Sequence, residues 1–462
     1  MNLQNKNAIY NILGPIILNS INFFTIPIFT RMMGPAQYGI VSVFTTWIGI
    51  FSIIFGLQVQ GSIGTAKAHL GEESIKPYLS SILLLGLAFG SLCIIFGSIF
   101  YQPLSEWMML SVETYTLMGL QSIATFIISF SSIAFIFYKK AQYSFVVNVS
   151  TAVITSVLSI VLILYYFGHD EAYLGRIYGM VLPTVCMAVL VAIYFLKEGE
   201  FTFKKEYILF CLPICLPLIF HGMSHIVLAQ SDRIILQRLL GNEVTGIYSF
   251  MIIFSGVLTA IWNALNNTWV PFYYDDLRAG KLEEISKKSK NYILIFTIIH
   301  IVFLLWAPEV IKIFTPPSFW SSIYLLPLFV LSNYFTFMYS FPVNFQFFHK
   351  TTVSIAIGTV CAALVNVGLN LLFIPIFGII GSALATLVAH IALFVFQQII
   401  STYVLKQPYH YSWTFFVPGI LVMSLCIGSF YMLEDLILIR WGLGFILSVY
   451  FFVHIYRRKR LF

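Results

Sequence analysis

Apolar stretches of twenty or more residues follow one another along almost the whole of this chain, with little between them. A hydrocarbon layer takes about 20 apolar residues per helical crossing, and inside it every backbone N–H and C=O must be paired within its own segment, which makes each crossing a helix. Marking the stretches between charged or Pro/Gly-rich breaks gives spans near 8–30, 39–58, 78–101, 114–138, 143–167, 172–196, 207–231, 244–270, 291–314, 320–345, 352–374, 378–404, 412–433 and 436–456. The expected fold class is an all-α integral membrane protein of about 14 transmembrane helices. Composition agrees: 9% of residues are charged, against about 25% in an ordinary soluble domain. The longest polar connection, Asp275 to Lys290, has sixteen residues, and no segment is left for a soluble catalytic domain. Polar residues Met1–Asn7 lead into an apolar run reaching Phe29, too long for a signal-peptide core and read as an uncleaved first span.

The net charge of +7 would suggest nucleic acid in a soluble domain. Here the cations sit in short connections, which argues for membrane topology and against a nucleic-acid partner. With the N-terminus in the cytoplasm, one side receives Lys6, Lys67, Lys76, Lys139, Lys140, Lys197, Lys204, Lys205, Arg278, Lys281, Lys287, Lys288, Lys290, Lys350, Lys406 and Arg457 to Arg460. The other holds only Arg31, Arg176, Arg233, Arg238, Lys312 and Arg440. Acidic residues divide evenly, as expected if only cations feel the orientation bias. The expected location is the bacterial cytoplasmic (inner) membrane, with both termini cytoplasmic and a basic tail contacting anionic lipid. The six cysteines (Cys93, Cys186, Cys211, Cys215, Cys361, Cys426) lie in apolar segments and read as small packing residues.

The chain also repeats itself. Arg31, Gly34, Gly39, Ile40 and Ser42 recur 207 residues later as Arg238, Gly241, Gly246, Ile247 and Ser249. At an offset of 210, Lys140, Ser144, Ala152, Val157, Leu162, Phe167 and Gly168 recur as Lys350, Ser354, Ala362, Val367, Leu372, Phe377 and Gly378. The spacing implies a six-helix unit used twice: an N-terminal lobe over 1–200, a C-terminal lobe over 201–405, and two extra helices with a basic tail over 406–462. An even number of spans per unit gives both copies one orientation, hence pseudo-twofold symmetry about the membrane normal.

Ile26-Pro27 through Thr30-Arg31-Met-Met-Gly34-Pro35 to Tyr38-Gly39 resembles the opening of Wzx-type O-antigen and polysaccharide-export flippases of the multidrug/oligosaccharidyl-lipid/polysaccharide superfamily, which includes the MATE exporters. Asp232-Arg233 through Tyr248-Ser249, Trp269-Val-Pro271 and Asn370 through Pro375 to Gly381 are similar to the same family, in order along spans 1–12. The resemblance implies a two-lobed bundle that turns undecaprenyl-pyrophosphate-linked oligosaccharide from the cytoplasmic to the periplasmic leaflet. A polysaccharide polymerase or chain-length regulator is the implied protein partner. Some lipid II flippases carry several arginines where this first span has Arg31 alone, which disfavours lipid II. Capsule and teichoic-acid precursors stay open beside O-antigen.

Such a cargo, with its dianionic pyrophosphate, needs cations and hydrogen-bonding groups at membrane depth, where they are otherwise costly. Arg31 suits bidentate phosphate contact, or else anchors the span end at the interface. On the seventh span His221, His225 and Asp232 fall within about 40° of one another on a helical wheel, with Arg233 on the adjacent flank. The two histidines and Asp232 form a candidate coupling site for H+ or Na+, and Arg233 a candidate substrate contact, or else Asp232 and Arg233 are a structural ion pair. Asn11, Asn22 and Thr25 stripe the first span, and Asn263 and Asn267 share a face of the eighth. These amides and the hydroxyl suit sugar hydroxyls, or glue helices together. His300, His390 and His454 read as packing residues. A His-x-x-x-His pair with one distant carboxylate is no closed zinc set, and no metal or cofactor is expected. Spans 1–6 carry no mid-span acid of the kind expected in a cation-coupled drug exporter. No large outer loop, nucleotide-sugar motif or nucleophile set suggests a glycan polymerase or ligase, so a transporter is expected rather than an enzyme.

Overall fold

The computed structural model describes residues 3–405 and 411–458. Among them there is no strand. The helices are α1 (Leu3–Gly56), α2 (Ile63–Ile99), α3 (Tyr101–Met108), α4 (Val112–Phe137), α5 (Ala141–Leu162), α6 (Ala172–Glu198), α7 (Lys205–Arg278), α8 (Leu282–Phe314), α9 (Leu326–Phe348), α10 (Thr352–Phe377), α11 (Ile379–Ile399), α12 (Trp413–Leu433) and α13 (Ile437–Arg458). Lys406, Lys459 and Arg460 lie outside the described residues.

Among the described residues, 12 helical stretches are long and apolar enough to cross a membrane. Two of them are double length. In α1 the backbone leaves helical geometry at Gly34 (φ 67, ψ 176), and in α7 it does so at Gly241 (φ 86, ψ −179). Each half suffices for one crossing, so these breaks supply the fourteen crossings expected. Both are left-handed positions that favour glycine, and they are a repeated pair. The second repeat behaves alike: Gly168 and Gly378 both turn the chain at positive φ, 65 and 61.

Three stretches differ from the hydropathy reading. The connection expected from Asp275 to Lys290 is nearly all helix, since α7 runs to Arg278 and α8 begins at Leu282. Lys288 of α8 binds Asp276 of α7 across the turn at 2.5 Å, and Arg278 pairs with Asp275 within α7 at 3.6 Å. Hydropathy sees only the apolar part of a helix that continues past the membrane. For the same reason the polar end of α2, Ile63 up to the break at Gly71 (φ 77), reads as loop in sequence. Helix α3, eight residues long, is too short for any span rule to register.

The chain forms two compact units, Met1–Gly246 and Ile247–Phe462. This division is one of packing and falls inside α7; the boundary at 200/201 is one of sequence repetition. The first unit packs α1, α2, α4, α5, α6 and the first half of α7 around Ile82, Phe126, Phe130 and Phe195. At one end, Gln37 Nε2 donates to the His169 carbonyl at 2.6 Å and its Oε1 accepts from the Tyr173 N–H at 2.7 Å, tying the Gly34 turn to the α5–α6 turn. At the other end, Lys76 pairs with Glu198 at 2.6 Å.

Within the second unit, buried amides glue the helices. Gln346 Nε2 donates to Gln397 Oε1 at 2.8 Å and to Ser401 Oγ at 2.9 Å, while Ser354 Oγ donates to Gln346 Oε1 at 2.6 Å. Asn370 Nδ2 donates to Asn366 Oδ1 at 3.1 Å and Ser382 Oγ to Asn370 Oδ1 at 2.7 Å. Arg440 is a fully buried charge of this unit, its guanidinium meeting both oxygens of Glu309 on α8 at 2.5 and 3.1 Å. This fork fastens α13 to α8.

Candidate functional site

The polar residues of α1 and the first half of α7 all belong to the first unit. Asn22 and Arg31 are exposed. Thr25 is half-buried, and its hydroxyl donates to the Asn22 carbonyl at 3.0 Å, the usual way a helix absorbs a threonine. The hydroxyl oxygen and the Asn22 amide are left to face whatever lies beside α1. Asn11, further down the same helix, is also exposed.

On α7 the four residues of the polar stripe separate by depth. His221 and His225 are exposed, and His225 lies within electrostatic reach of His221. Their segment is pressed onto the second half of α1: a Cβ on Gly222 would lie 3.2 Å from Ile53 Cδ1, and one on Gly49 3.4 Å from Ile226 Cδ1. Farther along, Asp232 and Arg233 are buried, 1% and 8% exposed. Asp232 Oδ1 accepts from the Arg233 backbone N–H at 2.9 Å. The histidines and the acid, one stripe on a wheel, occupy different environments.

Around Arg233 the unit gathers further cationic and aromatic groups. Tyr38, buried on α1, lies within the fields of both Arg233 and Arg176. Arg176 comes from α6; its guanidinium sits 4.0 Å above the Phe29 ring, and its Nη1 donates to Ser159 Oγ at 3.0 Å. Phe29 is two residues before Arg31, so three α-helices bring Arg31, Arg176 and Arg233 to one end of the unit, with Asp232 beside Arg233. A planar guanidinium held on an aromatic face keeps its edge for bidentate acceptors. The sequence alone assigns Arg176 to the outer side or an outer span end; an arginine four residues into an otherwise apolar span is the signal that it has a partner inside the protein.

This end is closed by a close helix crossing built from the repeat. A Cβ on Gly39 would lie 2.0 Å from the Asn242 carbonyl oxygen, and a Cβ on Gly246 would lie 1.8 Å from the Pro35 carbonyl oxygen. Pro35 and Asn242 are themselves 207 residues apart, so the contact is reciprocal. Only glycine fits either position.

Asn263 and Asn267, in the second unit, are both exposed, whereas Asn266 between them accepts from Asn344 Nδ2 at 3.0 Å. His300 Nδ1 is 2.9 Å from the Phe296 carbonyl, His390 Nδ1 is 2.8 Å from Ser332 Oγ, and His454 Nε2 is 2.7 Å from Asn291 Oδ1. The last two bonds join different helices, α11 to α9 and α13 to α8, while that of His300 stays within α8. Among the described residues no group of three or more His, Cys, Asp or Glu side chains is arranged to hold a metal ion.

Residues 5–275 match the family described as polysaccharide biosynthesis protein. Two Haemophilus influenzae proteins are similar over most of their length. One, an uncharacterised membrane protein, is 23% identical over 83% of this chain and 95% of its own. The other, Lsg locus putative protein 1, is 24% identical over 82% and 94%. Among solved structures, the lipid II flippase MurJ in an inward-closed conformation superposes with a TM-score of 0.65 at 16% identity, covering 98% of this chain and 99% of MurJ. An inward-facing multidrug resistance MATE family transporter of the MOP superfamily gives 0.64 at 17% identity, covering 87% and 99%. At these identities the likeness establishes a shared fold.

Proposed function

Because the chain belongs to the polysaccharide biosynthesis protein family, whose match covers more than half of it, we propose that it is a flippase for an undecaprenyl-pyrophosphate-linked oligosaccharide, the O-antigen repeat unit. The protein carries this cargo from the cytoplasmic to the periplasmic leaflet by alternating access of the 1–200 and 201–405 lobes, without chemical change. The observation that carries the reading is the group of arginines in the first unit. Arg176 lies over the Phe29 ring at 4.0 Å, Arg233 is buried and Arg31 follows two residues after Phe29; cations carried by otherwise apolar spans suit an anion moving along them. A pyrophosphate is such an anion, and guanidinium forks match its oxygens. Asn22, Thr25, Asn263 and Asn267 supply hydrogen-bonding groups for the sugars. The polyprenyl tail needs only lipid.

Turning a charged head against a gradient requires energy, and the sequence has no nucleotide-binding motif. A cation moving downhill, H+ or Na+, supplies it. His221 and His225 are exposed and can exchange protons with water; one turn apart, two imidazoles resist double protonation. Asp232, buried farther along the same face, favours a proton on the pair. Switching of water access to the histidines between the two open states completes the cycle.

The experiment is deletion in the native host, followed by measurement of lipid-linked glycan on each leaflet and of surface polymer. Loss of the protein is expected to leave glycan-lipid on the cytoplasmic leaflet and to abolish the surface polymer. Unchanged surface polymer, in a strain with no second flippase, overturns the reading.

A further inference from the structure

The first unit contains a cavity of about 740 Å3 that the proposed function does not use. Its walls include Phe51 and Phe55 of α1, Phe96 of α2, Leu104 of α3, and Tyr115 and Met118 of α4. The volume lies in the range of ligand pockets, roughly 300–1,000 Å3. An apolar cavity excludes sugar and pyrophosphate and is a poor host for water. Beside a bilayer, the apolar group at hand to fill it is a lipid tail.

What the tail is attached to follows from the rim. Helix α3 is too short to cross the membrane and is amphipathic: Ser105 and Met108 are buried while Tyr101 and Trp107 are 43% and 53% exposed. Such a helix lies in the interface. Trp107 packs on Trp47 with ring centroids 5.3 Å apart, and Trp47 packs on Phe51 of the cavity wall at 6.0 Å. On the other side of Trp107 stands Arg238, its guanidinium 5.7 Å over the ring and donating to the Trp107 carbonyl. Arg238 is exposed and makes no salt bridge among the described residues; the acid of α3, Glu106, instead accepts from Gln102 at 3.4 Å. The Trp47 indole N–H, in the same ring cluster, is buried with no acceptor among the described residues.

We propose that this cavity is a binding site for one acyl chain of an anionic phospholipid whose phosphate is held by Arg238 at the α3 interface. A phosphate meets the guanidinium fork, and a headgroup without an ammonium leaves the cation fully matched. The tail fills the space between α1, α2 and α4. None of Arg31, Arg176 and Arg233 lines this cavity, so a lipid here acts as a fixed part of the first unit rather than as cargo.

Cys93 lines the cavity and reports on it directly. A variant keeping Cys93 as its sole cysteine is placed in nanodiscs of phosphatidylcholine, with or without phosphatidylglycerol, and labelled with N-ethylmaleimide. Phosphatidylglycerol is expected to slow labelling about five-fold, the equivalent of about 1 kcal/mol for one cation at an anionic lipid. Arg238→Gln restores the phosphatidylcholine rate, and Arg238→Lys, which keeps the charge and loses the fork, falls between. Equal rates in the two lipids, or slowing that survives Arg238→Gln, overturn the proposal. So does protection by undecaprenyl phosphate but not by phosphatidylglycerol, which would make the cavity a cargo-tail site.

Discussion

Replacing either partner of the Arg440–Glu309 pair should loosen α13 from the second unit. Arg440 is 1% exposed and uses its guanidinium fully. It binds both Glu309 oxygens at 2.5 and 3.1 Å, the Leu305 carbonyl of α8 at 2.9 Å, and the Leu433 and Glu434 carbonyls at the end of α12 at 3.0 Å each. Trp441 Nε1 adds a bond to Glu309 at 3.1 Å. Removing one partner of a buried pair costs about 3–5 kcal/mol, because it strands the other charge. Glu309→Gln retains an acceptor and forfeits charge assistance, worth about 1.5–3 kcal/mol. Arg440→Leu strands the carboxylate and three carbonyls, so it belongs at the upper end. The double variant Glu309→Leu/Arg440→Leu strands no charge, losing with the pair itself only bonds to carbonyls and to the Trp441 indole, so it should be less destabilised than the two single leucine variants summed. The assay is unfolding of the detergent-solubilised protein by sodium dodecyl sulfate, followed by tryptophan fluorescence, as a double-mutant cycle. Additive leucine variants, or a Glu309→Gln protein as stable as wild type, would refute the reasoning.

Other expectations follow from the first unit. For Arg31, transport in reconstituted vesicles should fall in the order wild type, Arg31→Lys, Arg31→Ala; losing one charge-assisted contact of about 1.5–3 kcal/mol gives roughly a ten- to hundred-fold loss, and a fully active, normally abundant Arg31→Ala protein reduces Arg31 to an anchor. Gly39→Leu and Gly246→Leu should each lower membrane abundance, because a side chain cannot fit 2.0 or 1.8 Å from the facing carbonyl oxygens; wild-type abundance on immunoblots would show that the crossing is not needed. His225→Ala and Asp232→Asn, at normal abundance, should abolish the response of transport to an imposed pH gradient while substrate still binds, and an intact response in both would move coupling to sodium or product exchange. Lys76→Ala should change stability by less than about 1 kcal/mol in the same detergent titration, as for any exposed pair.

What could be read from sequence was whatever is local. Gly34 and Gly241 mark chain reversals because a positive φ almost requires glycine, and a requirement felt by one residue leaves its trace at one position. The span boundaries are legible for the same reason. Helix continuing past the membrane is not: at Asp275 to Lys290 the residues are charged, yet Lys, Glu and Arg are good helix formers, and hydropathy does not distinguish a helix in water from a loop. The contacts of Arg176 and Arg440 escape for another reason. Glu309 and Arg440 are 131 residues apart, and nothing in either neighbourhood names the other; only the cost of a charge at membrane depth hints that each has a partner.

The α7 stripe shows how far periodicity carries. A wheel places His221, His225 and Asp232 at one angle because each residue advances the helix by a fixed turn, and that placement needs no structure. Depth is a different coordinate. The eleven residues from His221 to Asp232 rise about 16 Å along the axis, over which the surroundings pass from open to closed: His221 and His225 are exposed, while Asp232 is 1% exposed. The closing is done by groups distant in sequence, Tyr38 from α1 and Arg176 from α6, drawn to one end where Gly39 and Gly246 let α1 and α7 touch. The stripe therefore runs from exposed imidazoles to a buried Asp232–Arg233 pair along a single helix. On the proposed reading, protonation at one end would alter the field at the other, and variants along α7 are where that coupling is to be tested.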